Sequence, residues 1–273
     1  EASFFGIGGP KMQAEGFDAW WPAEKLSVMG YVDAFKRLPE LLRIRRGLLS
    51  RVREADPDLF IGVDAPDFNL GVEKRLRASG IKTLHYVSPS IWAWRGGRVH
   101  KIGRAADQIM CLFPFEPPLY ERNGIRASFV GHPLADAFPD RVNREEIREG
   151  LRIPAEQKVV AVLPGSREGE VGRLSASLVG MIKLLAEKRP DMLFLVPLVT
   201  RKTREIFEQA LLEGEANHLP VRLLFGHSHE AMAAADVVVV ASGTASLEAA
   251  LLKRPMLIVY KVGNMTYRLA KRL

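Results

Sequence analysis

The residues Leu163-Pro164-Gly165-Ser166-Arg167 follow the apolar run 159–162 and stand before a helical stretch that begins near Glu170. Glycine in such a loop lets backbone N–H groups approach an anion, Ser166 supplies a hydroxyl donor, and Arg167 presents a forked cation matched to phosphate oxygens. In a transferase that releases a nucleoside diphosphate, this arginine would stabilise the charge growing on the leaving group. An ordinary strand-to-helix turn with a surface arginine uses the same residue types. The Gly-Lys-Ser/Thr spacing of a Walker loop is absent, which disfavours ATP hydrolysis. A second loop, Ser242-Gly243-Thr244, ends the apolar run 237–240 and opens a helix carrying Glu248. The N–H groups of a helix start can hold phosphate, and Glu248, one turn further, could accept both hydroxyls of a ribose; a solvated helix glutamate is the plain alternative.

Two carboxylates offer acid–base chemistry. Asp64 and Asp67 flank Ala65-Pro66 at the end of a very apolar run, where a carboxylate is expected to be partly desolvated and able to hold a raised pKa. Either could deprotonate an attacking sugar hydroxyl, and either could simply cap the next helix. His227-Ser228-His229 has no companion cluster at metal-site spacing, so no metal is expected. Gly6-Ile7-Gly8-Gly9 lacks the third spacing of a dinucleotide fingerprint and reads as a glycine-rich turn.

These loops need elements to hold them. Short β-branched runs alternate with helical stretches, the pattern of βαβ units around mostly parallel sheets. Strands are expected at 59–63, 83–87, 108–112 and 128–130, and again at 159–163, 193–197, 222–225, 237–240 and 256–260. The stretch 136–157, with Pro139, Pro154 and a short helix at 144–151, separates the groups. This gives two Rossmann-like domains, 1–140 and 141–273. Ligands of open α/β sheets sit beyond the carboxyl ends of the strands, so two such rims facing each other would form a cleft. No helix is expected between Ser3 and the apolar Phe4-Phe5, where a doubly wound domain needs one; a segment is expected to be skipped there, an initial strand to lie before Glu1, and a further piece after Leu273.

Composition narrows the class. In 273 residues, 47% hydrophobic, there is material for two cores, and the single Cys111 excludes an internal disulfide. Lys and Arg number 39 against 32 Asp and Glu, a net +7 that suits anionic partners of several kinds. No apolar stretch is long enough to span a bilayer, so any membrane contact is expected to be peripheral. The segment 28–46 interleaves Val28, Met29, Val32, Phe35, Leu38, Leu41, Leu42 and Ile44 with Lys36, Arg37, Arg43, Arg45 and Arg46. Such a helix can rest in lipid with its cations on headgroups, or it can pack on its own sheet. Trp20-Trp21 just before it favours an interface.

The motifs together closely resemble the lipid-A-disaccharide synthases, family 19 glycosyltransferases with two Rossmann-like domains facing a cleft (the GT-B type of architecture). The carriers are residues 8–16 (GGPKMQAEG), 64–69 (DAPDFN), 85–95 (HYVSPSIWAWR), 163–167 (LPGSR) and 241–245 (ASGTA), and the resemblance covers nearly the whole chain. It also matches Glu1-Ala2-Ser3 to the start of a family loop. It implies transfer of 2,3-diacylglucosamine from UDP to the 6-hydroxyl of 2,3-diacylglucosamine 1-phosphate, inverting, with a β-1,6 linkage, release of UDP, and neither metal nor cofactor. It assigns Asp64 as base, a choice the spacing left tied with Asp67, and Arg167 to the pyrophosphate. Gly165, Ser166, Ser242, Gly243, Thr244 and Glu248 complete the implied UDP-sugar site. Met29, Val32, Phe35, Leu38, Leu41 and Leu42 become the acyl-chain and membrane contact, on the anionic cytosolic face of a bacterial inner membrane. Nucleic acid is not an expected partner, and a homodimer stays open. Two other readings stand beside this one: a UDP-N-acetylglucosamine 2-epimerase-like enzyme of similar build, and a basic nucleic-acid-binding protein using Trp92, Trp94, Arg95 and Arg98.

Overall fold

A computed structural model describes residues 2–26, 31–91, 96–139 and 142–261, with the backbone alone for 31–36 and 96. The chain divides into two compact units, residues 1–132 and 133–273. Among the described residues no helix is long and apolar enough to cross a membrane.

The first unit opens with β1 (Phe5–Gly8), α1 (Pro10–Ala14) and β2 (Asp18–Pro22), a compressed βαβ turn whose two strands pair in parallel. Then come the long α2 (Tyr31–Ala55), β3 (Phe60–Val63), α3 (Pro66–Arg77) and β4 (Thr83–Tyr86). The unit continues through α4 (Val99–Gly103), β5 (Gln108–Cys111), α5 (Pro117–Glu121) and β6 (Ala127–Phe129). Strands β3 to β6 form a parallel sheet in sequence order.

In the second half of α2, Ile44, Leu48 and Val52 recur every four residues, so they share one face. All three are buried, and Leu48 and Val52 cluster with Leu49 and with Val72 and Leu76 of α3. That half of the helix is core. Trp20 and Trp21 join the same cluster from β2. Trp20 stacks on Phe5 at 4.9 Å and carries the Arg51 guanidinium 4.2 Å above its ring. The tryptophans are therefore engaged within the unit, each still partly exposed.

One polar pair is wholly enclosed. Glu73 of α3 and His85 of β4 meet at 2.7 Å between Oε1 and Nδ1, with both side chains at 0% exposure. Gly62 on β3 makes the room: a Cβ there would lie 1.9 Å from Glu73 Oε1. Cys111, also fully buried, has its thiol pushed up to about 12 by burial, so it is unsuited to nucleophilic work.

The second unit comprises α6 (Pro133–Ala137), α7 (Arg144–Gly150), β7 (Lys158–Leu163), α8 (Glu168–Lys188), β8 (Met192–Leu198) and α9 (Arg201–Glu213). Then follow β9 (Val221–Phe225), α10 (Ser228–Ala234), β10 (Val237–Ala241), α11 (Thr244–Leu251) and β11 (Met256–Val259). Phe138 packs into this unit's core, which draws residues 133–139 to it. The five strands are parallel in the order β11-β10-β7-β8-β9. Period-two alternation decides the layers: Val160 and Val162 of β7 face the cluster under α8 and α9, while Val159, Ala161 and Leu163 face the one under α10 and α11. Each fully buried Val or Leu contributes about 1.5–3 kcal/mol relative to exposure. A strand wanted on both faces has no place for a polar residue, which is why β7 reads as an unbroken apolar run.

Helix α7 is tied to this sheet by Arg144, which donates to the Ala234 carbonyl and pairs with Asp236 at 2.5 Å. The other Asp236 oxygen accepts the Val159 backbone N–H at 2.8 Å. Burial works to raise the Asp236 pKa, but the Val159 N–H and Arg144 outweigh it and hold the carboxyl below its ordinary value of 3.8. Its stabilisation is therefore fully present above that value and is lost as pH falls through the lower, folded-state value. Asp236→Asn should lower stability near neutral pH by about 1–3 kcal/mol in urea unfolding. The difference from the native chain should shrink below about pH 4. An equal difference at neutral and strongly acidic pH would show that the charge of Asp236 does not matter to the fold.

Candidate functional site

The second unit carries the more complete constellation. From β7 the chain winds outward through β8 and β9, then returns to the other side of β7 for β10 and β11. The winding therefore reverses between β7 and β10, which are hydrogen-bonded neighbours with Leu163 opposite Val240. At such a reversal the crossovers leave to opposite faces and a crevice opens beyond the carboxyl ends of the two strands. The loops that end there are 163–167 and 241–244, so the structure brings Gly165, Ser166 and Arg167 beside Ser242, Gly243 and Thr244.

Gly165 has φ +115°, a region that disfavours L side chains, and a Cβ there would stand 2.8 Å from Glu170 Oε2 and 2.9 Å from Glu170 Cβ. Glycine is thus required twice over. Pro164 is buried while Ser166 and Arg167 are exposed, Arg167 at 80% in its side chain. Arg167 precedes α8 in extended conformation and pairs through Nη1 with Glu170 Oε1 at 3.1 Å. The Glu170 carboxylate thus lies against Gly165, paired with the Arg167 cation. An exposed pair of this kind is worth about 0–1 kcal/mol, so exchange of Glu170 for a phosphate costs little. Glu170 escaped the sequence reading, although the Arg-x-x-Glu spacing across a helix start was the available signal.

The other loop is simpler. Ser242 N–H donates to the Val259 carbonyl at 3.0 Å, and Gly243, extended, precedes α11 with Ser242, Gly243 and Thr244 all exposed. Ser246 Oγ donates to the Gly243 carbonyl at 2.7 Å and fixes the turn. Glu248, one turn on and largely buried, meets His229 Nε2 at 3.3 Å. His229 in turn stands edge-on to Phe138, ring centres 4.7 Å apart. His229 thus stands beside Glu248, a contact that spacing alone did not reveal. His227 pairs with Glu230 at 3.1 Å. Both histidines of the 227–229 triplet thus have carboxylate partners.

In the first unit, Asp64 follows β3 in a backbone turn of unusual strain. Asp64 (φ +47°) and Ala65 (φ +42°) are consecutive non-glycine residues in the left-handed region, which costs about 1–2 kcal/mol each. Asn69 holds them there: its Nδ2 donates to the Val63 carbonyl at 3.1 Å and to the Asp64 carbonyl at 2.8 Å. The Asp64 N–H donates to Tyr86 at the end of the neighbouring strand, 2.8 Å. Pro66 then starts α3, where a missing N–H is harmless. Strain compensated by specific bonds is characteristic of functional turns.

The side chain of Asp64 is exposed, which corrects the expectation of a partly desolvated carboxylate. The reason is that β3 is an edge strand among the described residues, with Ile61 and Val63 exposed on one face despite its apolar sequence. The two acids left tied by spacing differ in the structure. The Asp67 carboxylate, 89% exposed, is held by Arg98 at 3.0 Å, whereas among the described residues Asp64 forms no ion pair.

Of the apolar contact residues, Met29 lies outside the described residues, and Val32 and Phe35 belong to α2 with their backbone alone described. Leu38 is 45% exposed, and Leu41 and Leu42 are half-buried. Trp92, Trp94 and Arg95 lie outside the described residues, and Arg98 is engaged with Asp67.

Comparison with known proteins bears first on the fold. Among solved structures, the UDP-GlcNAc 2-epimerase from Neisseria meningitidis bound to UDP-GlcNAc matches 95% of this chain and 73% of its own, with TM-score 0.61 and 14% identity. The UDP-GlcNAc 2-epimerase from Methanocaldococcus jannaschii matches 98% of this chain and 86% of its own, with TM-score 0.56 and 12% identity. At such identities the likeness is one of fold: an α/β chain of two Rossmann-like units.

Sequence relatives stand much nearer. The lipid-A-disaccharide synthase of Aromatoleum aromaticum is 62% identical over 273 residues, all of this chain and 70% of that protein. Those of Azoarcus and Pseudomonas aeruginosa are 60% and 51% identical, again across the whole chain and over 70% and 72% of their own lengths. The first alignment spans as many residues as the chain contains, which leaves no room for a skipped segment between Ser3 and Phe4 and removes the match of Glu1-Ala2-Ser3 to a distant loop. The Phe4 carbonyl accepts the Asp18 N–H at 2.9 Å, so these residues simply lead into the parallel pair of β1 and β2. The sequence model of the lipid-A-disaccharide synthetases matches residues 1–273, and the chain belongs to that family.

Proposed function

We propose that this chain transfers 2,3-diacylglucosamine from UDP to the 6-hydroxyl of 2,3-diacylglucosamine 1-phosphate, with inversion, forming a β-1,6 disaccharide. Its family supports synthesis of the lipid A disaccharide by glycosyl transfer. The observation that carries the finer reading is the pair of loops at the β7/β10 reversal, where a strained glycine, an exposed arginine and a helix start converge.

In this reading the pyrophosphate of the donor takes the place of Glu170 on Arg167 and lies against the backbone at Gly165. Glu168 and Glu170 already neutralise the first turn of α8, so Arg167 provides most of the positive charge. As the bond between the sugar anomeric carbon and the β-phosphate oxygen breaks, the electron pair goes to UDP and Arg167 offsets the charge there. Glu248, beside His229, accepts the ribose hydroxyls. On the acceptor, Asp64 takes the proton of the 6-hydroxyl as its oxygen attacks the face opposite the departing UDP, and inversion follows. The apolar residues from Met29 to Leu42 receive acyl chains at the cytosolic face of the inner membrane, where the enzyme sits peripherally.

The assay uses UDP-2,3-diacylglucosamine and the monosaccharide phosphate, with the disaccharide read by mass spectrometry. Asp64→Asn should reduce transfer by about 100-fold or more while UDP binding stays unchanged. Retention of most activity in the purified variant would remove Asp64 from the role of base.

For the donor site, Arg167→Ala should lower kcat/KM for the UDP-sugar by about 100-fold. Gly165→Ala should weaken UDP binding by about tenfold through strain in the loop. Unchanged donor kinetics in both variants would place the UDP-sugar elsewhere.

A further inference from the structure

A cavity of about 480 Å³ on the first unit lies between α2, α3 and the end of α4. Five cations line it: Arg45 from α2, Lys74 and Arg75 from α3, Lys101 from α4, and Arg104 just after. Its one acidic liner, Asp67, is already bonded to Arg98. Among the described residues none of the five forms an ion pair with a carboxylate. The arginines nearby behave differently: Arg77 pairs with Asp107 at 2.7 Å and Arg98 with Asp67 at 3.0 Å.

Gly71 lies beside two of the cations, and Arg75 Nη1 donates to its carbonyl at 3.1 Å. A Cβ at that position would lie 3.4 Å from Arg45 Nη1 and 3.9 Å from Arg75 Nη1. Two guanidinium groups thus converge on one point of the cavity wall, with further positive charge around it. Like charges gathered around one cavity repel unless an anion lies among them. Forked guanidinium donors beside lysine ammonium groups suit the oxygens of a phosphate, which accept several bonds at once.

Two features argue for a lipid as the bearer of that phosphate. The cavity runs along the outer side of α3 from Asp67 to Ala78, so it extends eleven residues along the helix from the turn that carries Asp64. Helix α2 supplies Arg45 to the cavity and, seven residues earlier, the exposed Leu38. Seven residues are two helical turns, so the two side chains share a face. An exposed apolar residue in line with clustered cations is the arrangement that favours a bilayer surface.

We propose that this cavity is a phosphate-binding site that seats the headgroup phosphate of an anionic membrane lipid. The proposal deepens the reading of the chain as an enzyme of lipid substrates at a membrane. Its test reads binding rather than turnover, so failure of the glycosyl-transfer reading would leave the result intact and distinguishable. Sedimentation of the chain with phosphatidylglycerol vesicles would be compared with sedimentation on phosphatidylcholine vesicles. The combined variant Lys74→Ala, Lys101→Ala, Arg104→Ala should lose about tenfold in affinity for the anionic vesicles. A control that removes as many charges from α9, Arg201→Ala, Lys202→Ala, Arg204→Ala, should lose much less.

Equal losses in the two variants would overturn the proposal, because net charge and not the cavity would then govern binding. Equal binding of the native chain to both vesicle types would overturn it as well. Two further arms separate the sources of phosphate. If inorganic phosphate, titrated calorimetrically, bound the native chain and not the cavity variant while vesicle binding was the same in both, the site would take free phosphate and not lipid. A raised KM for the monosaccharide phosphate in neutral detergent, with vesicle binding unaltered, would give the cavity to the acceptor instead. An unchanged KM together with lost vesicle binding is the expected result.

Discussion

A parallel sheet can be covered on both faces only if its crossovers leave on both sides. Each crossover is right-handed, so the chain must reverse its direction of winding at some strand. In the second unit that strand is β7, and the reversal toward β10 sets two strand-end loops side by side. The residues of the two loops are therefore neighbours because of topology, although nearly eighty positions separate them in the chain. Packing enforces the arrangement: β7 and β10 are apolar on both faces, alternate residues serve opposite helix layers, and the polar residues fall at the strand ends.

The two units fix their working turns by different means. At residue 165 the conformation belongs to glycine, and the space above it is filled by Glu170, so the loop is shaped by what it lacks. At residues 64 and 65 the left-handed conformation is imposed on side chains that do not favour it, and the amide of Asn69 sustains it by two bonds to the preceding carbonyls. The first device lets a ligand approach the backbone. The second aims a carboxylate outward from the end of β3. Beneath that turn, Gly62 leaves space for the enclosed Glu73 and His85 pair, so the strand that carries Asp64 is itself shaped around a buried polar bond.

Most of the architecture could be read from residue types. The runs at 159–162 and 237–240 are β-branched and apolar on both faces, and such runs announce a buried parallel strand. The pair of β1 and β2 was not legible: FGIG is short and rich in glycine, and the tryptophans of DAWWP suggest an interface when neither Phe5 nor Arg51 is known to lie against them. Nor was the exposure of Asp64 visible, because β3 has the composition of an inner strand and the position of an edge. Helix α2 combined two segments in one pattern. Its apolar positions at 44, 48 and 52 are core, while Leu38 is open, and periodicity alone does not distinguish a core from a bilayer as the apolar partner.

The distribution of ion pairs carries information that net charge does not. A chain with +7 could spread its excess evenly, and each extra cation would then be solvated and without consequence. Here arginines outside the cavity are often satisfied locally: Arg144 holds Asp236, Arg77 holds Asp107, and Arg98 holds Asp67. Even the exposed Arg167 rests on Glu170. The cations at the α2, α3 and α4 cavity have no such carboxylates among the described residues. The pair of Arg167 and Glu170, with the arginine exposed, is worth about 0–1 kcal/mol, so it can give way to another anion. Cations without a resident counterion gain more from an arriving anion, which suits a contact that persists while substrates come and go.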